Sequence, residues 1–467
     1  MPWINRQREA MVEMQDIEKQ RFDCIVVGSG PGGATVAKEL TARGKKVLIL
    51  EWGPAKPVKG SLWRYIMESL IPGKGMFLTS DLLGMVRGIT LGGSSLFYYA
   101  TAFPVPHDML RKYGIDVKKE EEEARRELPI APLNDEMITP MARRIMESAR
   151  ALGYQWKPLD KFMYQERWRP GFKFGYYGDP HRVKWSARMY VEEAVAGGAI
   201  LIDRAKVKNV IMEGRRAVGV EFSHRGKMHR AFGGTVVIAA GGIGSPLILR
   251  NMGVTQAGYN LFFDPLITVC GKVKDDWKDV RKRKEEIPMT AGCIFKDDGF
   301  VMTDMPVPFL MDQVFTLSGF RPWRLFESRK TLRIMVKIRD DLAGRLSRRG
   351  WVVKKLTPAD REKLRKGYEI AANILHHAGA RGIYKTWKLA AHPGGTVRIG
   401  HILDANLKVM GYENCYVCDC SVIPEPWGLP PVLTLVCLGK RLAKLLAGGG
   451  ERRRGTRKES RRKRAGR

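Results

Sequence analysis

The stretch from Phe22 to Glu51, FDCIVVGSGPGGATVAKELTARGKKVLILE, constrains the fold of this chain more than any other. Cys24 to Val27 is an apolar run of strand length, and it enters Gly28-Ser29-Gly30-Pro31-Gly32-Gly33, a G-x-G-x-x-G turn. The pattern predicts a helix from Gly32 to Arg43 with Ala34, Ala37 and Leu40 facing inward. Gly44 stops it, and Val47 to Leu50 forms a second, parallel strand. Gly28 permits the tight turn, Gly30 lets the backbone approach a pyrophosphate, and Gly33 lets helix and strand pack closely. The helix N-terminus presents unpaired N–H groups and a positive dipole end to phosphate. Glu51 ends the second strand, about twenty residues on, where a carboxylate can accept from both hydroxyls of a ribose. A carboxylate there argues against NADP and leaves NAD and FAD both open.

Length and composition set outer bounds. At 467 residues and 44% hydrophobic content the chain can fill two structural units, interleaved rather than strung in a line. Seven scattered cysteines, an odd number, suit reduced thiols in a cytoplasmic protein better than a disulfide framework. The first twenty residues are charged and lack an apolar core, which does not suit a signal peptide. No apolar run approaches the length of a membrane span. The net charge is +32, and Glu451 to Arg467 carries ten Lys/Arg against two Glu. Behind Gly448 to Gly450 this tail is expected to be disordered. It is either a solubilising appendage or a contact to anionic membrane at its inner face. Nucleic acid is the weaker partner, because no nucleic-acid motif accompanies the charge.

Further along, Arg87 to Ser95 forms a second Gly-rich turn before an aromatic, strand-like run, Phe97 to Phe103. Residues 118–153 are charged and helix-like, and Lys184 to Val195 reads as a helix. Residues 200–250 alternate as strand, hairpin, strand and turn. Within them Val236 to Ala240 is a buried parallel strand that delivers Gly241 to its carboxyl end, where cofactors sit in open α/β sheets. Alternating strands are expected over 262–340, with a charged excursion from Lys274 to Glu286. Thr357 to Ala378 is expected as a helix pair, and Leu433 to Leu446 as a last helix.

The segment from Ala390 to Leu446 carries a family resemblance. His392, Gly394-Gly395-Thr396, Asp404, Tyr416-Val417-Cys418-Asp419-Cys420-Ser421, Pro424, Pro431 and Thr434 fall in the order of a known block. This resembles the C-terminal flavin-binding block of the glucose–methanol–choline (GMC) oxidoreductases, closest in style to the cholesterol oxidase branch. Gly92-Gly93-Ser94-Ser95 resembles the family's turn at the flavin. Val207 resembles the residue whose backbone meets the adenine, and Ala239 to Pro246 resembles its A-A-G-x-x-x-S-P. The resemblance implies an α/β (mixed α+β) fold: a Rossmann-like FAD-binding domain from 20–103, 200–262 and 388–447. A substrate domain on an antiparallel sheet, 104–199 and 263–387, is interleaved with it, and 448–467 is a basic tail. The implied cofactor set is Gly28, Gly30, Gly33, Glu51, Gly92, Gly93, Ser94, Val207, Gly241, Asp419 and Pro431, with no metal. The implied reaction is oxidation of a CH–OH group of an alcohol, apolar or sterol-like, by FAD. His392 takes the proton while hydride passes to flavin N5; imidazole suits that task because its pKa lies near operating pH. The electron acceptor is open.

Two positions depart from the family pattern. Pro430 stands where relatives carry Asn or a second His, and proline offers no side-chain donor and no backbone N–H. That departure keeps a flavin-dependent lipid reductase or desaturase, and a non-catalytic flavin-binding scaffold, as alternatives. Tyr98 stands where relatives often carry Asn; Tyr98 and Tyr99 either face the flavin or are core aromatics. Cys415, Cys418 and Cys420 have a metal-like spacing but alternate along a strand, so buried thiols are expected. His376 and His377 are adjacent on a helix, which is poor metal geometry. Glu425 and Trp427 shape the pocket or fill a loop.

Overall fold

The computed structural model describes residues 14–170, 172, 178–274, 287–325 and 330–464. Most of the N-terminal segment and nearly all of the excursion from Lys274 to Glu286 lie outside them. The strands β1 (Cys24–Val27), β2 (Val47–Leu50), β3 (Ile200–Ile202), β4 (Val236–Ile238) and β5 (Cys415–Val417) form one parallel sheet in the order β5-β4-β1-β2-β3. β1, β2 and β4 are buried along their whole length, which is why they read as continuous apolar runs rather than alternating ones. Each fully buried Val, Leu or Ile contributes about 1.5–3 kcal/mol. Because the strands are parallel, the loops after β1, β4 and β5 all emerge at one edge, and these are the loops holding Gly28, Gly241 and Asp419.

Helix α1 (Pro31–Thr41) starts with proline at its first turn, where the missing N–H costs nothing. Its burial extends beyond Ala34, Ala37 and Leu40 to Thr35, Val36 and Thr41. Two helices explain this by covering it: α2 (Ala187–Ala196) and, at the far end of the chain, α5 (Val432–Arg464). A Cβ on Gly439 of α5 would stand 3.0 Å from the Gly32 carbonyl oxygen and 2.8 Å from Thr35 Cβ, so the close approach needs glycine. Lys440 then pairs with Glu39 at 2.7 Å and Glu127 at 2.5 Å.

The second large sheet has nine strands and is antiparallel except where Leu389–Ala390 runs parallel to Gly84–Val86. Its centre is the long pair Pro265–Lys272 and Thr331–Ile338. Strands Met76–Leu78, Gly84–Val86 and Leu389–Ala390 belong to this sheet, although the sequence boundaries grouped them with the cofactor-binding part.

Four sequence expectations change. Phe97 to Phe103 is not a strand: it follows a single turn of 3-10 helix, Gly93–Leu96. Its carbonyls are taken by lysines, the Lys184 ammonium bonding Tyr98 O at 2.7 Å and the Lys161 ammonium bonding Tyr99 O at 2.7 Å. Thr357 to Ala378 is a single helix, α4 (Pro358–His377), opened by a reciprocal Thr357–Asp360 capping box. Gly367 does not break it; a Cβ there would meet Val336 Cγ1 at 2.3 Å, so this glycine seats the helix on the sheet. An apolar helix, Phe309–Ser318, interrupts the expected strands of 262–340. Finally, α5 continues to Arg464 instead of ending at Leu446, since Arg, Lys and Glu are good helix formers.

Candidate functional site

The two Gly-rich turns meet. Gly28 takes φ of 100°, and its missing Cβ would sit 2.3 Å from the Ala239 carbonyl oxygen at the end of β4. Gly33 is equally confined, 2.3 Å from the Gly28 oxygen. Gly30 differs: nothing lies within 4 Å of its Cβ position. Gly93, at φ of 57°, faces Gly30 across 3.3 Å, and Gly92 donates its N–H to Ser29 Oγ at 2.9 Å. Ser94 is exposed and its hydroxyl accepts from Gly88 N at 3.0 Å. Gly241 also has open space at its Cβ position. No side chain caps α1, whereas the first N–H of α3 (Gly241–Asn251), the helix after β4, is taken by the Asp419 carboxylate at 2.9 Å.

Glu51 is buried and already engaged. Its Oε2 accepts from Ser29 N at 3.0 Å and Ser29 Oγ at 2.6 Å, and its Oε1 accepts from Gly53 N at 2.6 Å. A carboxylate has about four acceptor positions, so one remains for a ribose hydroxyl rather than two. Burial raises its pKa against these three donors. Val207 lies on the strand Ala205–Glu213, whose first N–H bonds the Glu51 carbonyl at 2.8 Å. Asp419, after β5, accepts from Gly241 N at 2.9 Å and Ser421 N at 2.8 Å, and bonds the Ser245 hydroxyl, tying β5 to α3. Pro431 precedes α5, and in that helix's first turn the buried Thr434 hydroxyl has no protein partner among the described residues. Open space at Gly30 and Gly241, the uncapped start of α1 and an unsatisfied buried hydroxyl fit a large phosphate-bearing cofactor.

His392 stands at the end of the second sheet. Pro265 is opposite Ala390 and Leu266 is opposite Lys337, so Asp264, Lys337 and His392 converge on one corner. Asp264 Oδ2 lies 3.0 Å from His392 Nδ1, and Asp264 Oδ1 accepts from Gly428 N at 3.2 Å. The Lys337 ammonium is 3.8 Å from Asp264 and 3.5 Å from His392 Nδ1. Asp264 and Lys337 are 1% and 2% exposed at the side chain, His392 28%. Thus the ring is gripped from the protein side at Nδ1 and left partly open elsewhere. His392 and Asp264 hold φ of 49° and 50°, a left-handed backbone costing about 1–3 kcal/mol each, tolerated where the surroundings over-determine it. A second buried pair does that: Asp340, 2.7 Å from Lys354, accepts from the N–H groups of Phe263 and Asp264.

The charges respond to burial. Desolvation pushes Asp264 up to about 7, opposed by Lys337, and pulls Lys337 down to about 8. It also holds His392 well below its ordinary value, helped by the Lys337 cation, so the imidazole rests neutral.

Pro430 has no side-chain polar group to offer, and among the described residues Asp264 and Lys337 meet the His392 ring at its Nδ1 side. Sequence reading missed both; the signal was a lone charge inside an apolar run, FFDPL and IMVKI. Tyr98 resolves toward the core: its phenol bonds Trp185 O at 2.7 Å. Tyr99 packs on a small apolar cluster with Phe103, Met289, Met335 and Leu429. Cys415 and Cys418 are buried and the seven cysteines are free thiols. Glu425 pairs with Lys112 and Tyr113, and His377 bonds Ser148.

The comparisons agree with this construction. The family described as GMC oxidoreductase matches residues 25–266 in its N-terminal part and 331–439 in its C-terminal part. An uncharacterized protein of Methanocaldococcus jannaschii is 26% identical over 91% of this chain and 99% of its own length. A long-chain-alcohol oxidase of Arabidopsis thaliana is 22% identical over 94% of this chain and 70% of its own. Among solved structures, pyridoxine 4-oxidase from Mesorbium loti superposes with a TM-score of 0.71 at 16% identity, covering 91% of this chain and 99% of that one. Formate oxidase from Aspergillus oryzae gives 0.73 at 16%, covering 92% and 99%. Nothing in these matches singles out the cholesterol oxidase branch. With both family blocks in place around the glycine cradle and His392, the chain belongs to the GMC oxidoreductases and is an FAD-dependent oxidoreductase acting on CH–OH donors.

Proposed function

We propose that this enzyme oxidises the CH–OH group of an apolar alcohol to a carbonyl, with His392 as the base that takes the hydroxyl proton. The observation that carries this reading is the grip on Nδ1: with that nitrogen at 3.0 Å from Asp264, Nε2 is the ring atom left for substrate. When bound, FAD supplies the two-electron acceptor. Gly28, Gly30, Gly33, Gly92, Gly93, Ser94 and Gly241 would hold its phosphates and ring, and Glu51 and Val207 its adenosine. Asp419 and Pro431 set the ends of β5 and α5 toward it. Burial keeps His392 neutral, so its Nε2 lone pair is free to take a proton, and the Asp264 carboxylate at Nδ1 offsets the weakened basicity as the imidazolium forms.

An apolar substrate is supported by the partly exposed Tyr99 and Leu429, which pack on a buried cluster of Phe103, Leu159, Met289, Val301, Met305 and Met335. Leu429 follows Gly428, whose N–H bonds Asp264, so apolar surface adjoins the base. The long-chain-alcohol oxidase relative points the same way. Anaerobic mixing of the flavin-loaded enzyme with primary alcohols of rising chain length tests this. Flavin bleaching should grow more efficient with length, by up to about tenfold for every two buried methylenes. Equal bleaching by ethanol and a long-chain alcohol would defeat the apolar assignment.

A further inference from the structure

We infer that Asp264, braced by Lys337, is the positioning residue that fixes His392 as the Nδ1–H tautomer and so leaves Nε2 bare toward substrate. This rests on the reading of His392 as base. Three observations carry it. First, a bare Nδ1 lone pair facing a carboxylate oxygen at 3.0 Å would be repelled, whereas an Nδ1–H donates to it. The Lys337 ammonium, at 3.5 Å, is at the outer limit of a hydrogen bond to the same nitrogen and cannot outcompete that donor–acceptor pair. Second, Asp264 is built to stay put. Gly428 N–H holds its other oxygen, its own N–H bonds Asp340, and Asp340 is locked to Lys354 with both side chains fully buried. Third, a buried carboxylate facing a histidine is costly unless a cation balances it, and Lys337 reaches into this corner from the neighbouring strand.

The pairing leaves Asp264 and Lys337 together neutral, so the ring meets a fixed acceptor rather than a net charge. When Nε2 takes the hydroxyl proton, the imidazolium that forms has the Asp264 carboxylate at hand. The titratable groups around Asp264 are His392 and Lys337 in contact, Cys420, whose thiol bonds the His392 carbonyl at 3.6 Å, and the Asp340–Lys354 pair behind. Of these, Asp264 is the one pushed up to about 7, and protonation there removes the acceptor for Nδ1–H.

The test uses histidine-labelled, flavin-loaded protein. Nitrogen NMR, with the signal assigned through His392→Gln, should show wild-type His392 protonated at Nδ1. In Asp264→Leu/Lys337→Met, which removes both charges at similar volume, the proton should move to Nε2 and flavin reduction should fall at least about a hundredfold. In Asp264→Asn, with FAD retained, the acidic limb of flavin reduction near pH 7 should disappear. The inference is overturned if wild-type His392 is protonated at Nε2, if Asp264→Leu/Lys337→Met keeps the wild-type tautomer, or if Asp264→Asn keeps the wild-type pH profile. If His392→Gln still reduces flavin at the wild-type rate while the tautomer shifts as described, the base reading fails and the positioning of His392 stands.

Discussion

Two glycines of the first turn make different demands although they are two residues apart. Gly28 has a left-handed backbone and a carbonyl oxygen 2.3 Å from its Cβ position, so Gly28→Ala should prevent stable folding. Gly30 has an ordinary φ of −65° and nothing within 4 Å, so no contact inside the protein requires its glycine. Gly30→Val should leave the melting temperature of flavin-free protein unchanged and weaken FAD binding at least about tenfold, by titration of apoprotein. Unaltered FAD affinity would remove Gly30 from the cradle. Both glycines were legible from spacing because the turn's geometry is dictated locally. Asp264 and Lys337 were not, since their roles arise from two strands pairing some seventy residues apart.

At the scale of elements, the antiparallel pair Pro265–Lys272 and Thr331–Ile338 carries an ion pair that an apolar core would do without. Asp264 titrates in the fold at about 7, above the ordinary carboxyl value near 4. Its stabilising contribution is therefore full below about 4 and lost as pH rises through 7. Lys337 titrates at about 8, below an ordinary value near 10.4, so its contribution is full above that and lost as pH falls through 8. Asp264→Asn/Lys337→Met should accordingly be more stable than wild type by about 1–4 kcal/mol at pH 7–8. That advantage should shrink toward both pH 4 and pH 10 in denaturant titrations. An advantage that does not depend on pH would contradict the charge account. The helix α4 and the segment after Gly93 show why element reading falters. Thr357 to Ala378 reads as a helix pair until Gly367 is seen to seat one helix on the strand beneath, and aromatic residues 97–103 read as a strand until buried lysines claim their carbonyls.

For the whole molecule, the parallel sheet was legible because its strands are short and apolar, with β1 running straight into the Gly28 turn and β4 reaching Gly241 after Ala239 and Ala240. The nine-stranded sheet was only outlined, because its edge strands come from three distant stretches. The described residues contain no helix long and apolar enough to cross a membrane. We propose, from its charge alone, that the basic tail contacts an anionic surface, at about 1 kcal/mol per Lys or Arg. Protein cut after Ala447 should keep its flavin and lose binding to anionic vesicles at low salt; equal binding by the cut protein would assign the charge elsewhere. The central claim is met most directly by one rate, that of anaerobic flavin reduction by a long-chain primary alcohol in His392→Gln carrying a full complement of FAD. The account predicts a fall of about 10²–10⁴ relative to wild type at pH 7.5. A rate within a few-fold of wild type would take His392 out of the chemistry.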